Sequence, residues 1–147
     1  MAFNRMTRML ADLTKVNCYD HVGLNRKFVD ETMLASAIEH LRSFAFFGLA
    51  EEQSKTQFLF EKTFGLKFNG LFEQKTGTHV ERADRVLLSE RDKERIAEAN
   101  SLDVRLLEFA KELFYKRVEY FEKKLGYTVE DYFDHVRDSE LIIIKPT

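Results

Sequence analysis

A single proline, Pro146, interrupts a chain of 147 residues, and only six glycines join it. Proline and glycine are the residues that most often end regular structure, so their scarcity favours long helices. The apolar residues repeat accordingly. Met6, Met9, Leu10, Leu13 and Val16 recur at three- and four-residue steps, which predicts an amphipathic helix over about residues 4–16. Residues 17–28 are polar and irregular and read as a loop. Asp30 is a good N-cap for a second helix, whose apolar stripe is Met33, Leu34, Ala37, Ile38 and Leu41.

The run Phe44-Ala45-Phe46-Phe47-Gly48 then breaks the helical period. A short apolar run between two helices predicts a buried strand of a parallel sheet. From Glu51 to Phe64 the helical period returns, with Leu59, Phe60 and Phe64 inward and Gly65 at the C′ position. Strand, tight turn and acidic helix start make half of a βαβ unit. Residues 66–88 read as a long loop with room for a short strand. Ser89 caps a charged helix to about Asn100. A longer helix runs from Ser101 to Leu125 on the stripe Leu107, Ala110, Phe114, Val118, Phe121 and Leu125, closed by Gly126. At 1.5 Å per residue it is roughly 37 Å long. Thr128 caps a last short helix to about Val136, and Leu141-Ile142-Ile143-Ile144 is either an edge strand or an unpaired tail. The expected class is α/β, helix-rich with one or two parallel strands.

Hydrophobic residues make up 44% and charged residues 33%, ordinary values for a globular chain. The formal charge of −2 gives no global attraction to nucleic acid or any other polyanion, so an anion site must be local. No apolar run approaches the roughly 18 residues of a membrane helix. Met1-Ala2-Phe3-Asn4-Arg5 enters a helical pattern without a signal-peptide core, so neither a membrane segment nor a targeting segment is expected within these residues. The lone Cys18 has no partner for a disulfide within the chain.

Among groups that carry chemistry, His21, His40, His79 and His135 show no metal-ligand spacing with one another or with Cys18. Glu51 and Glu52 sit at a helix start, where they complement the macrodipole. There is no GxxxxGK[ST], no GxGxxG and no GxSxG. Arg5 and Arg8 lie three apart on one face of the first helix, either as a solvated basic edge or as an anion contact. The stretch Thr78-His79-Val80-Glu81-Arg82-Ala83-Asp84-Arg85 combines a hydroxyl with two arginines, a second and weaker anion signal.

Four segments, in order, narrow the reading. Asn4-Arg5-Met6-Thr7-Arg8-Met9-Leu10-Ala11-Asp12-Leu13, with Cys18-Tyr19 beyond it, closely resembles a stretch of the heparan-sulfate 6-O-sulfotransferases. So does Ala45-Phe46-Phe47-Gly48-Leu49 with Lys55-Thr56-Gln57-Phe58-Leu59-Phe60-Glu61-Lys62-Thr63-Phe64. Arg82-Ala83 lies at the expected distance beyond that helix, and Ala99-Asn100-Ser101-Leu102-Asp103 with Glu108-Phe109-Ala110-Lys111-Glu112-Leu113-Phe114 is similar to the family's final long helix. The resemblance covers about residues 4–121; the residues after Gly126 resemble nothing in the family. Residues 1–125 are accordingly expected to be the C-terminal portion of a sulfotransferase domain, with 126–147 a divergent tail.

The resemblance implies a P-loop-like sulfotransferase fold. It implies sulfuryl transfer from 3′-phosphoadenosine 5′-phosphosulfate to the 6-hydroxyl of glucosamine in heparan sulfate, on the lumenal side of the Golgi membrane, without a metal. Such a transfer needs an in-line acceptor, a base, and cations or N–H groups on the leaving phosphate. In the family, the donor loop, the residues gripping the 3′-phosphate and the catalytic histidine all precede the segment matching Asn4. No catalytic residue is therefore assigned here, and the 147 residues alone are expected to be inactive. Arg5 and Arg8 match positions near the substrate cleft, and Arg82 with Thr78 falls in a loop that closes over the nucleotide in related sulfotransferases. A fold-supporting ion pair is the competing role for each arginine. Cys18 becomes one half of a disulfide whose partner lies outside this chain.

Three departures accompany the match. Met6 stands where the family has Gln, Ala50 where it has the Thr of a helix start, and Asp20 where relatives carry a glycosylated asparagine. Two readings are open: a piece of an active 6-O-sulfotransferase, or a non-catalytic paralogue that binds heparan sulfate or a full-length partner. In either case the missing N-terminal half is an expected partner, and without it the piece is expected to expose apolar surface and to aggregate.

Overall fold

The computed structural model describes residues 3–17, 24–72 and 88–136. The described residues divide into two compact units, one drawn from Met1–Phe44 and Lys75–Glu112, the other from Ala45–Gln74 and Leu113–Thr147. Among the described residues the regular structure is helical, and no strand occurs. None of these helices is long and apolar enough to cross a membrane.

In the first unit, helix α1 spans Arg5–Leu10. The single helix expected over 4–16 is broken at Ala11, whose backbone is extended. Asp12 then turns its side chain onto the Thr14 N–H at 3.0 Å and starts a separate 3-10 turn, Leu13–Val16. A short acidic side chain bonding its own neighbours competes with the helix ladder in this way. The buried face also differs from the methionine stripe: Thr7 is fully buried, while Met6 and Met9 are 45% and 75% exposed.

Helix α2 spans Arg26–Ser43, starting four residues before Asp30. Its N-cap is Asn25, whose side chain accepts from the N–H groups of Lys27 at 2.9 Å and Phe28 at 3.4 Å. Val29, Met33, Leu34, Ala37 and Leu41 form its buried stripe. Helix α4 covers Glu90–Ala99 behind its Ser89 cap, where the hydroxyl accepts from Asp92 N–H.

The 25-residue helix Ser101–Leu125, α5, supplies residues to both units. Its buried side runs in four-residue steps, Leu102, Leu106, Ala110, Phe114 and Val118. Leu107 and Leu125, assigned to the stripe from sequence, are exposed.

The second unit contains helix α3, Gln53–Phe64, ended by Gly65 at φ 65°. Phe58 and Leu59 face inward, whereas Phe64 is exposed. The short helix α6, Val129–Asp131, opens with a reciprocal capping box between Thr128 and Asp131 and continues into a π turn, Tyr132–Val136. Val129 and Tyr132 join Leu49, Phe58, Leu59, Phe114 and Val118 in one buried cluster. The described part of the stretch assigned as a divergent tail is thus packed into this core.

Residues 44–49 take no ladder partner among the described residues. Within this stretch Phe46 lies edge-on to Phe60 at 5.0 Å and Phe47 lies 6.3 Å from Phe114. One hydroxyl does part of what a neighbouring strand would do: Thr56 Oγ1 accepts from Leu49 N–H at 3.1 Å and donates to the Leu49 carbonyl at 3.0 Å. That approach requires Gly48, because a Cβ there would lie 2.3 Å from Thr56 Cγ2. The N-cap of α3 is Glu52, without a side-chain cap bond, so Ala50 lies outside the cap position assigned to it from sequence.

Candidate functional site

The best-defined polar cluster of the first unit joins two of the segments that carry the family resemblance. Asn4 has left-handed backbone, φ 53° and ψ 47°, a conformation asparagine tolerates better than most residues. Its side-chain oxygen accepts from Leu102 N–H at 3.0 Å and Asp103 N–H at 3.3 Å, capping α5. Asp103 reciprocates. Its carboxylate accepts from Met6 N–H at 3.1 Å, from Thr7 N–H at 2.8 Å and from the Thr7 hydroxyl at 2.7 Å, satisfying the otherwise open donors of α1. Asn4 N–H closes the loop onto Asn100 Oδ1 at 3.0 Å.

The far end of α1 is tied to α2. His40 Nδ1 lies 2.6 Å from the Leu10 carbonyl oxygen, and since a carbonyl only accepts, that nitrogen carries the hydrogen. Asp12 N–H donates to Ser36 Oγ at 2.9 Å. Arg105 grips Glu31 with two bonds of 2.7 and 3.0 Å, joining α5 to α2. The Arg105 hydrogen bond holds the Glu31 carboxyl below its ordinary range, and the Thr14 hydroxyl does the same for Asp12.

So fixed at both ends, α1 presents Arg8 to a cleft of about 370 Å³ lined also by Leu24, Arg26, Val29, Asp30 and Met33. Arg8 is half-buried, and its Nε is out of solvent with no hydrogen-bond partner among the described residues. A buried guanidinium N–H without an acceptor is costly, so the site favours an anionic or carbonyl oxygen there. Arg26 pairs only loosely with Asp30, at 3.9 Å, and its side chain is 94% exposed. The cleft therefore combines two guanidinium groups, one carboxylate and an apolar floor.

Of the residues singled out from sequence, Arg8 lines this cleft, whereas Arg5 is exposed on α1 and is not among its lining residues. Thr78, Arg82 and Cys18 lie outside the described residues. Among the described residues no three His, Cys, Asp or Glu side chains converge as metal ligands. Sequence reasoning missed Arg26 altogether and used Asp30 only as a cap. The one available signal was Asn25, a better-placed cap that would have put Arg26 in the first turn.

No protein-family model matches the chain. Individual curated proteins do. Heparan-sulfate 6-O-sulfotransferase 3 of Homo sapiens is 46% identical over 117 residues, which is 80% of this chain and 24% of that protein. Heparan-sulfate 6-O-sulfotransferase 3-B of Danio rerio is 44% identical over 124 residues, 84% of this chain and 29% of that protein. Heparan-sulfate 6-O-sulfotransferase 1 of Homo sapiens is 46% identical over 120 residues, 82% of this chain and 28% of that protein. The chain spans a quarter to three-tenths of the length of these relatives. Identity at this level, over four-fifths of its own residues, makes the chain a relative of the heparan-sulfate 6-O-sulfotransferases.

Proposed function

We propose that these residues form the acceptor-side part of a heparan-sulfate 6-O-sulfotransferase domain of P-loop-like fold. The reaction is transfer of a sulfuryl group from 3′-phosphoadenosine 5′-phosphosulfate to the 6-hydroxyl of glucosamine, in the Golgi lumen. Arg8 supplies a fixed cation to a sulfate or carboxylate of the heparan sulfate chain, and exposed Arg5 adds to the local positive field. Arg82 and Thr78 belong to the donor side. Cys18 pairs with a cysteine beyond these residues. The donor loop and the base map, by resemblance, ahead of Asn4, so the 147 residues bind the acceptor but transfer nothing alone.

The observation that carries this reading is the solvent-shielded Nε of Arg8, without a hydrogen-bond partner among the described residues, on one of the two segments specific to the family. A guanidinium in that state is preorganised for an oxyanion, since its desolvation has already taken place on folding. The test is retention on immobilised heparin along a salt gradient, together with a labelled-sulfate transfer assay. Expected are salt-sensitive retention, earlier elution of Arg8→Ala and Arg5→Ala, and no transfer. Retention indifferent to both substitutions would count against the acceptor role, and transfer by these residues alone would overturn the division of labour.

A further inference from the structure

We infer that Arg26, at the first turn of α2, is a second cation of the acceptor cleft, gripping the same anionic group as Arg8. The choice of ligand, a sulfate or carboxylate carried on a sugar ring, rests on the acceptor-side reading. Three observations lead to it. Arg8 and Arg26 come from different helices but line one cleft, whose other polar side chain is Asp30. Arg26 is held only by Asp30 among the described residues, at 3.9 Å and with 94% of its side chain exposed. An exposed pair of that length contributes little stability and gives way readily to a better acceptor. The floor, Leu24, Val29 and Met33, offers apolar surface for the C–H face of a sugar ring.

The geometry gives each group a distinct part. Arg8 is fixed, with its Nε already withdrawn from water. Arg26 is free to move and closes on the ligand from the cleft's rim. Asp30 competes with the ligand for Arg26. Two guanidiniums around one oxyanion can each present a planar fork of N–H donors, which a lysine cannot. The volume, about 370 Å³, lies at the small end of small-molecule sites and suits one or two sugar rings rather than a long stretch of chain.

The experiment is calorimetric titration of the full chain with a heparin-derived oligosaccharide at fixed ionic strength. It is repeated with N-desulfated, 6-O-desulfated and carboxyl-reduced oligosaccharides to identify the group held. Arg26→Ala is expected to weaken binding about tenfold, and Arg26→Lys by less, because the charge remains while the fork is lost. Asp30→Asn removes the competitor and should tighten binding about two- to threefold. Arg91→Ala, on the exposed face of α4, controls for general electrostatics and should change little. The double variant Arg8→Ala with Arg26→Ala should lose less than the sum of the two single losses, since both residues hold one group.

If Arg8→Ala weakens binding while Arg26→Ala behaves like Arg91→Ala, this inference fails and the acceptor-side reading stands. Losses that add fully would also overturn it, placing the two arginines on separate groups. If neither Arg8→Ala nor Arg26→Ala differs from the control, the acceptor-side reading fails as well.

Discussion

Asn4 and Asp103 cap each other's helices. The Asn4 amide oxygen takes the first N–H groups of α5, while the Asp103 carboxylate takes those of α1 and the buried Thr7 hydroxyl. Asp103→Ala therefore opens two N–H groups and one buried hydroxyl at once. The expected loss is about 2–3 kcal/mol in denaturant unfolding, more than the ~1 kcal/mol of an ordinary cap. A loss below about 0.5 kcal/mol would mean water replaces the carboxylate without penalty.

Asn4 itself separates capping from backbone strain. Asn4→Ala loses the cap and leaves a Cβ-bearing residue at φ 53°, which costs about 1 kcal/mol more than glycine at the same place. Asn4→Gly should thus destabilise less than Asn4→Ala, although both remove the same side-chain bonds. Equal losses would show that the left-handed conformation relaxes.

Gly48 is fixed by Thr56. A methyl group at Gly48 meets Thr56 Cγ2 at 2.3 Å, so Gly48→Ala should cost about 1–3 kcal/mol through overpacking. Adding Thr56→Ser removes the offending methyl but keeps the hydroxyl that serves both backbone groups of Leu49. The double variant should recover most of the loss. Failure to recover would place the strain in the backbone rather than in that contact.

The described residues beyond Gly126, 127–136, pack into the core of the second unit. Glu61 is buried, accepting from Tyr132 OH on one oxygen and from Gln57 Nε2 at 2.9 Å and Phe68 N–H at 3.0 Å on the other. Tyr132→Phe should cost about 1–3 kcal/mol, the range for leaving a buried acceptor without one of its partners. Truncation after Gly126 removes Val129 and Tyr132 from the cluster and should cost at least about 3–5 kcal/mol. A truncated chain as stable as the intact one would make this stretch a true appendage.

Acid should weaken the first unit in a defined direction. Arg105 lowers the Glu31 carboxyl from its ordinary 4.5, so the bond stabilises the fold above that pH and is lost as pH falls below it. Asp12 acts in the same sense through Thr14. Both carboxylates are solvent-exposed, so the slope is small. Glu31→Gln should flatten part of it below the ordinary carboxylate value of 4.5 in denaturant midpoints, and an unchanged slope would show that Arg105 and Glu31 separate in solution.

Local chemistry was readable where it acts locally. Ser89, Gly65 and Thr128 each mark a helix end by bonds or dihedrals within a few residues, and all three lie where the pattern puts them. The start of α2 is ambiguous in the sequence because Asp30 and Asn25 are both good caps, and Val29, which decides between them, stands one turn ahead of the apolar stripe that begins at Met33. Residues 44–49 expose a deeper limit. An apolar run wedged between helices and a buried strand have the same composition, and what separates them is a neighbouring strand that no local pattern encodes. Arg8 was legible as one of two arginines on a single helix face, and resemblance to a family segment favoured the anion reading of it. Arg26 was not legible, since an arginine at a helix start has no signature until a second cation is found beside it.

The most direct measurement of the acceptor role is the amide spectrum of the chain during titration with a heparin-derived oligosaccharide. The arginine cleft predicts perturbations concentrated on residues 5–10 and 24–33, saturating with one site and needing more oligosaccharide to saturate in Arg8→Ala. Perturbations confined to α4, or spread evenly and unchanged in Arg8→Ala, would contradict it.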